Sequence, residues 1–311
     1  MAQANPAVPL AIALRGSVGR RRRESVVRSI LLAAGLVSIA ISGLIVYTLI
    51  VEAAKFLALV DLSKLVAFGW FPRRGMFDIA TLVLGTLMVT AIAMVVAAPI
   101  GLASAIYLSE YATPRVRRIV KPILEILAGI PSIVFGFFAL TVINPDIVQW
   151  FVPSAPGFNI MAASIAVGIL IIPLVASIAE DSMRAVPTAL REASYGLGAR
   201  RVTTSIRVVF PAAISGIIAA LILAASRAIG ETMVVALAAG ATGGGERSID
   251  PLAQGQTMTA AMASLAIGSD QVRGADAAFP SLFFIGLLLF LITLGLNLIG
   301  EAFVRRTRQR Y

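Results

Sequence analysis

Uncharged apolar runs long enough to cross a bilayer recur along this chain, and no other feature restricts its fold as strongly. A hydrocarbon layer of ~30 Å, crossed at 1.5 Å per helical residue, needs about 20 such positions. Six windows are long enough: 29–51, 79–109, 126–145, 159–179 and 279–300 are uncharged, and 212–240, the fifth in chain order, contains two ionisable residues. With 59% hydrophobic and only 14% charged residues among 311, the expected fold class is an all-α integral membrane protein with six transmembrane helices. Pro and Gly inside several windows predict kinks, since neighbouring helices can satisfy the freed backbone groups. Gly129, Pro131 and Pro173 are the candidate hinges.

The charges say which side each connection faces. Arg15, Arg20–Arg23 and Arg28 precede the first window, and Arg115, Arg117, Arg118 and Lys121 follow the second. Arg184, Arg191, Arg200, Arg201 and Arg207 follow the fourth, and Arg305, Arg306, Arg308 and Arg310 follow the sixth. The other side carries Lys55, Lys64, Arg73, Arg74, Arg247 and Arg273. The positive-inside bias therefore predicts cytoplasmic termini in a multi-pass cell-membrane protein. A net charge of +10 would point a soluble chain toward nucleic acid; here the lipid bilayer accounts for it. Residues 1–25 read as a basic, disordered extension, and the Arg20–Arg23 run reads as an anchor beside the first helix. The run of apolar residues after it is too long for a signal peptide. The absence of Cys and His removes thiol catalysis and most metal sites, so no catalytic residue and no metal ligand is expected.

Two constellations stand out. The connection 180–211 is long for a helix-to-helix link, where ~2–8 residues are usual. Val186, Leu190, Ala193 and Leu197 fall at helical spacing, and Pro187 suits a helix start. Gly196 and Gly198 then supply a turn, and Val202, Ile206 and Val209 repeat the spacing until Pro211. Two short amphipathic helices result, suited either to a groove on a partner or to the lipid surface. The second constellation is Ser226-Arg227-Ala228-Ile229-Gly230-Glu231-Thr232-Met233 inside the fifth window. A charge at bilayer depth costs ~2.5–3.5 kcal/mol on insertion scales. Arg227 and Glu231, four apart on one expected helix face, either pair with each other or face a polar path. A guanidinium fork matches oxyanion oxygens, and a neighbouring carboxylate suits an anion that keeps a proton, as hydrogen phosphate does and sulfate does not.

Glu192-Ala193-Ser194, then Gly198, then Val208-Val209-Phe210-Pro211 resembles the EAA motif of ATP-binding-cassette importer permeases, with Ser194, Val208 and Phe210 as conservative departures. That resemblance implies a coupling helix docked on an ATPase subunit, with Glu192, Ala193, Ser194, Gly198 and Pro211 as coupling residues. Residues 68–303 look like the PstC-type permease subunits of bacterial phosphate-specific importers. The matching stretches are Gly85-Thr86-Leu87, Ala128–Gly136, Ile171-Ile172-Pro173, Glu192–Gly198 and Arg227–Met233. The resemblance implies the type I importer permease fold and places Arg227, Glu231, Thr232 and Ser226 on a translocation path. It further implies a second permease subunit, two ATP-binding subunits that use ATP and Mg, and an extracytoplasmic phosphate-binding protein. The chain itself would bind no cofactor and catalyse no reaction. No G-x-x-x-x-G-K-[ST] loop occurs, and Gly243-Gly244-Gly245-Glu246 lacks the lysine. A permease for sulfate or molybdate, and more remotely an ion-driven carrier, are the alternatives; a membrane enzyme would need convergent acids that the sequence scatters.

Smaller signals complete the reading. Glu125 and Glu301 are expected to pair with nearby cations. Trp70, Phe71 and Trp150 are expected as interfacial anchors, and Met258–Leu265 as a short helix on the outer face.

Overall fold

The computed structural model describes residues 18–66, 68–240, 244–267 and 277–307. The chain divides into two compact units, Met1–Val51 and Glu52–Tyr311. Described by itself, the first is one element: helix α1, Val18–Leu59, fills it from Val18 and ends in the second unit. Residues 18–25 are therefore helical rather than an extension, and the rest of the expected extension lies outside the described residues. Between Ser29 and Val51 α1 carries no charge on any face, as a lipid-facing span does.

The second unit opens with a short hairpin, β1 (Trp70–Phe71) paired antiparallel to β2 (Met76–Phe77), turned by Gly75 at φ +69°. Helix α2 follows as Ile79–Tyr111, its last turn π-helical. Next come amphipathic α3 (Pro114–Ala128), α4 (Ser132–Phe151) and α5 (Ile160–Arg184). Three shorter helices lead back through the apolar region: α6 (Thr188–Gly196), α7 (Arg201–Ala212) and α8 (Ile214–Ile229). α9 (Met233–Ala238), α10 (Met258–Ile267) and α11 (Ala278–Thr307) complete the chain. Among the described residues, five helices are long and apolar enough to cross a bilayer; α7 and α8, bent by 72° at Ala213, supply a sixth when taken as one span.

Several boundaries differ from the sequence expectation. The third window begins at Ser132, because Gly129 closes α3 and Pro131 opens α4. Residues 126–128 thus belong to a separate helix whose charged face periodicity had hidden it among the connections. α4 also runs past Pro145 to Phe151 through a ten-residue π-helical stretch that accommodates the proline. α5 extends to Arg184, which shortens the connection before α6, and Pro173 lies buried inside α5 without ending it. The restart of the chain comes at Ala213, not Pro211: Pro211 lies in the last turn of α7, directly after its π-helical stretch, and the bend follows it. The fifth window is interrupted, as α8 ends at Ile229 and α9 begins at Met233.

α5 is the central helix and packs most closely on α2. The crossing depends on small residues: a Cβ on Gly101 would lie 2.7 Å from Val175 Cβ, and one on Gly168 would lie 3.0 Å from the Ala93 carbonyl oxygen. Close backbone approach of this kind is how apolar helices associate where no hydrophobic difference drives them. A second cluster gathers Phe56, Trp70, Phe77, Leu82, Met258 and Ile285. Trp70 is 1% exposed and meets Phe77 edge-on at 5.7 Å, so it is a core residue rather than an interfacial anchor. Trp150 is 73% exposed, and the half-buried Phe71 lies under the Arg74 guanidinium.

Asp78 pins the hairpin end of α2. Its fully buried carboxylate accepts from Gly69 N (3.2 Å), Ala80 N (3.2 Å) and Thr81 Oγ1 (2.6 Å). The Arg247 fork donates to it through Nε (3.1 Å) and Nη2 (2.7 Å), tying in the loop before α10. Burial alone would raise this carboxyl's pKa, but the bonds from Arg247, Thr81 and Gly69 outweigh burial and hold it below the ordinary value. A lowered folded-state pKa contributes stability above the unfolded value that is lost as pH falls through the folded one. Thermal unfolding in detergent should therefore be insensitive to this group across neutral pH and weaken only in strong acid. Asp78→Ala should leave buried donors unmatched at about 1–3 kcal/mol each and lower Tm by roughly 2–4 °C per kcal/mol. An unchanged Tm would refute the pinning role.

Candidate translocation and coupling sites

The intramembrane charges sit at a helix break. Gly230 caps α8, and the chain resumes helical geometry only at Met233. Arg227 and Glu231 consequently do not share one continuous helix face, and no ion pair joins them, which corrects the expected i,i+4 arrangement. Arg227 is exposed, and among the described residues its guanidinium has no hydrogen bond or ion pair. Glu231 is turned inward, 6% exposed, with Oε1 accepting from Val234 N (3.4 Å) at the start of α9. A carboxylate is suited to that position, because it meets an N–H left without an intrahelical partner and the positive end of the helix dipole.

The break exposes backbone groups that lipid would not satisfy. Thr259 Oγ1, from α10, donates to the Glu231 carbonyl (2.7 Å), and Thr232 Oγ1 donates to the Gly230 carbonyl (3.2 Å). Ser226 Oγ donates to Asn297 Oδ1 on α11 (3.1 Å). Sequence reasoning missed both supports. Asn297 had a visible signal, as an amide inside an otherwise apolar window; Thr259 had none, because only the fold brings α10 to the break. The short helix expected at Met258–Leu265 is present as α10.

At the arginine-rich end, α6 and α7 form the expected pair of short helices around Gly198, which adopts φ +78°, a conformation that favours glycine. Glu192 and Ala193 are exposed on α6, while Ser194 is half-buried with its hydroxyl 2.9 Å from Thr204 Oγ1 on α7. Pro211 is exposed just before the bend. The expected apolar stripe divides in two. Val186 and Leu190 enter the core, whereas Leu197 is 90% exposed at the apolar tip of α6, and Tyr195, Val202 and Ile206 are exposed too.

Beneath that hairpin lies a charge network that the sequence did not reveal. Glu180 is buried, with Lys121 Nζ donating to Oε2 (2.8 Å) and Arg117 (3.5 Å) and Arg184 (3.7 Å) near Oε1. Lys121 also meets Asp181. Burial would lower the lysine's pKa, but its bonds to Asp181 and Glu180 prevail and raise it, so it stays protonated at any physiological pH. Arg191 reaches back from α6 to Glu110 at the end of α2 (3.0 Å). Glu301 pairs with Arg305 one turn on (2.6 Å), and Glu125 lines a basic cleft with Arg117, Arg118, Lys121 and Arg184. Gly129 and Pro131 mark a true interruption between α3 and α4.

Comparison with known proteins agrees with this geometry. Residues 97–309 match the model of the binding-protein-dependent transport system inner membrane component. A probable ABC transporter permease protein, YqgH of Bacillus subtilis, is 35% identical over 69% of this chain and 71% of its own. The phosphate transport system permease protein PstC of Mesorhizobium japonicum is 30% identical over 84% of each chain. Among solved structures, a bacterial ABC transporter that imports the polysaccharide alginate superposes with a TM-score of 0.63 at 15% identity, over 93% of this chain and 100% of that one. The inward-facing methionine transporter MetNI gives 0.56 at 19% identity over 74% and 97%. At those identities the structural matches establish the fold alone, a type I importer permease fold. The sequence matches go further: this chain belongs to the family of binding-protein-dependent transport system inner membrane components.

Proposed function

We propose that this chain is a transmembrane permease subunit of an ATP-driven inorganic phosphate importer, forming half of the translocation pathway and coupling it to ATPase subunits. The observation that carries this reading is the 30% identity to a phosphate transport permease across 84% of both chains. The unpaired guanidinium of Arg227, held at a supported break in an apolar helix, gives the reading its chemistry. A second permease subunit would close the other half of the path. An extracytoplasmic phosphate-binding protein would deliver substrate at the hairpin end, with both termini cytoplasmic. Two ATP-binding subunits, using ATP and Mg, would receive the α6 hairpin. This chain would bind no cofactor itself.

In this mechanism Arg227 offers parallel N–H donors to two phosphate oxygens. Ser226 and Thr232 lie close to it in sequence; their hydroxyl protons go to Asn297 and Gly230, and their oxygens can accept from a protonated phosphate. Glu231 holds the N-terminus of α9 in place, and its carboxylate favours an anion that brings its own proton. Glu192 and the apolar tip around Leu197 form the docking surface on the ATPase, and Ser194 and Gly198 set the angle between α6 and α7. Gly129 and Pro131 allow α3 and α4 to change their mutual angle, as hinges at element ends do.

Two variants test the reading in membrane vesicles that hold the co-purified complex. Hydrogen bonds to a charged group contribute about 1.5–3 kcal/mol, which converts to roughly ten- to hundredfold per interaction. Arg227→Ala should therefore reduce phosphate uptake at least that far while the complex still assembles. Normal uptake would remove Arg227 from the path, and competition by sulfate or molybdate as strong as by phosphate would reassign the substrate. Glu192→Lys should abolish substrate-stimulated ATP hydrolysis or release the ATPase on purification; unchanged stimulation would overturn the docking assignment.

A further inference from the structure

The side chain next to Glu192 turns away from the docking surface. Arg191 donates from Nη2 to Glu110 Oε1 (3.0 Å) and from Nε to Glu110 Oε2 (3.4 Å). The same guanidinium donates to Val186 O (2.7 Å, from Nη1) and to Met183 O (2.8 Å, from Nη2). It thus joins three elements: α6, the last carbonyl groups around the end of α5, and the π-helical end of α2. The pair is nearly sealed, with the Arg191 side chain 17% exposed and that of Glu110 4%.

Glu110 is itself held firmly. Ser109 Oγ donates to its Oε1 (2.9 Å). From α3, Arg117 donates to the Leu108 carbonyl (2.9 Å, from Nε) and to the Ser109 carbonyl (3.0 Å, from Nη2). α2 and α5 then cross at close backbone contact at Gly101 and Gly168. Besides the chain itself and the packing of Leu190, two polar contacts lead outward from α6. One crosses the Ser194–Thr204 hydroxyl pair into α7 and then meets the 72° bend at Ala213 before α8. The other passes through a planar guanidinium fixed at four acceptor atoms into the two best-packed helices of the bundle.

We infer that Arg191 is the positioning residue through which displacement of α6 is delivered to α2 and α5, making those three elements one lever, with Glu110 as its seat. The inference rests on the reading of α6 as the ATPase-docking helix and names the link that reading leaves open. A buried ion pair adds little net stability against an apolar replacement, so its value here lies in fixing geometry. Lysine cannot substitute, because one ammonium cannot span the carboxylate and both carbonyls in a fixed plane.

The test uses the co-purified complex in liposomes, with phosphate uptake and ATP hydrolysis measured in the same vesicles for Arg191→Lys, Arg191→Gln, Glu110→Gln and the Arg191→Gln/Glu110→Gln double variant. The expected result is that phosphate moved per ATP falls roughly ten- to hundredfold, in line with loss of charge-assisted bonds, while hydrolysis still responds to substrate. The double variant should be no worse than either single one, since the residues act as a unit. Proportional loss of uptake and hydrolysis in the assembled Arg191→Lys complex, or additive effects in the double variant, would overturn the lever. Failure of Arg191→Gln to assemble while Arg191→Lys assembles and transports normally would also overturn it. Glu192→Lys in parallel separates the two claims: if that variant keeps stimulated hydrolysis, the docking assignment fails, whereas the Arg191 results bear on the link alone.

Discussion

A carboxylate sealed from water is costly unless a cation meets it with good geometry, and three such carboxylates mark the ends of α2 and α5. Asp78 lies at one end of α2 and Glu110 at the other, with Glu180 near the end of α5. Each is answered by a cation from a different element: Arg247 from the loop before α10, Arg191 from α6, and Lys121 and Arg117 from α3. Apolar surface gives little reason for one helix to prefer a particular neighbour in lipid. These polar fastenings at the two rims supply that preference, and the small-residue crossing between α2 and α5 completes it.

The same division of labour separates what could be read in the residues from what could not. The apolar windows and the glycine-hinged hairpin after α5 were legible, because periodicity and absence of charge depend on local composition. The interruption at Gly230–Thr232 was not, although a glycine stood in plain view, because whether a helix continues past it depends on which groups can satisfy the freed backbone. Here Thr259 does so from a distant part of the chain. Helix α3 was overlooked for a different reason: four cations made it look like a connection, yet Arg117 and Lys121 point inward to Leu108, Ser109 and Glu180. Trp70 was misread because an aromatic near a membrane boundary resembles an anchor until Phe77 is found packed against it.

The candidate site shows the same pattern in miniature. Arg227, Glu231, Ser226 and Thr232 were all visible as polar residues in an apolar window, but their division of roles was not. The chain keeps Arg227 exposed and turns Glu231 inward, so one charge faces outward and the other fastens the start of α9. In the hairpin of α6 and α7, likewise, Arg191, Ser194 and Thr204 serve internal fastening while Glu192 and Leu197 stand exposed.

An unanswered guanidinium inside an apolar stretch has a consequence for biogenesis. A solitary copy inserted in lipid carries an insertion penalty of about 2.5–3.5 kcal/mol at Arg227, which nothing among its own described residues offsets. A neighbouring protein surface that walled that face off from hydrocarbon and admitted water would remove most of that penalty, so the same side chain that destabilises the isolated chain in lipid would favour its assembly.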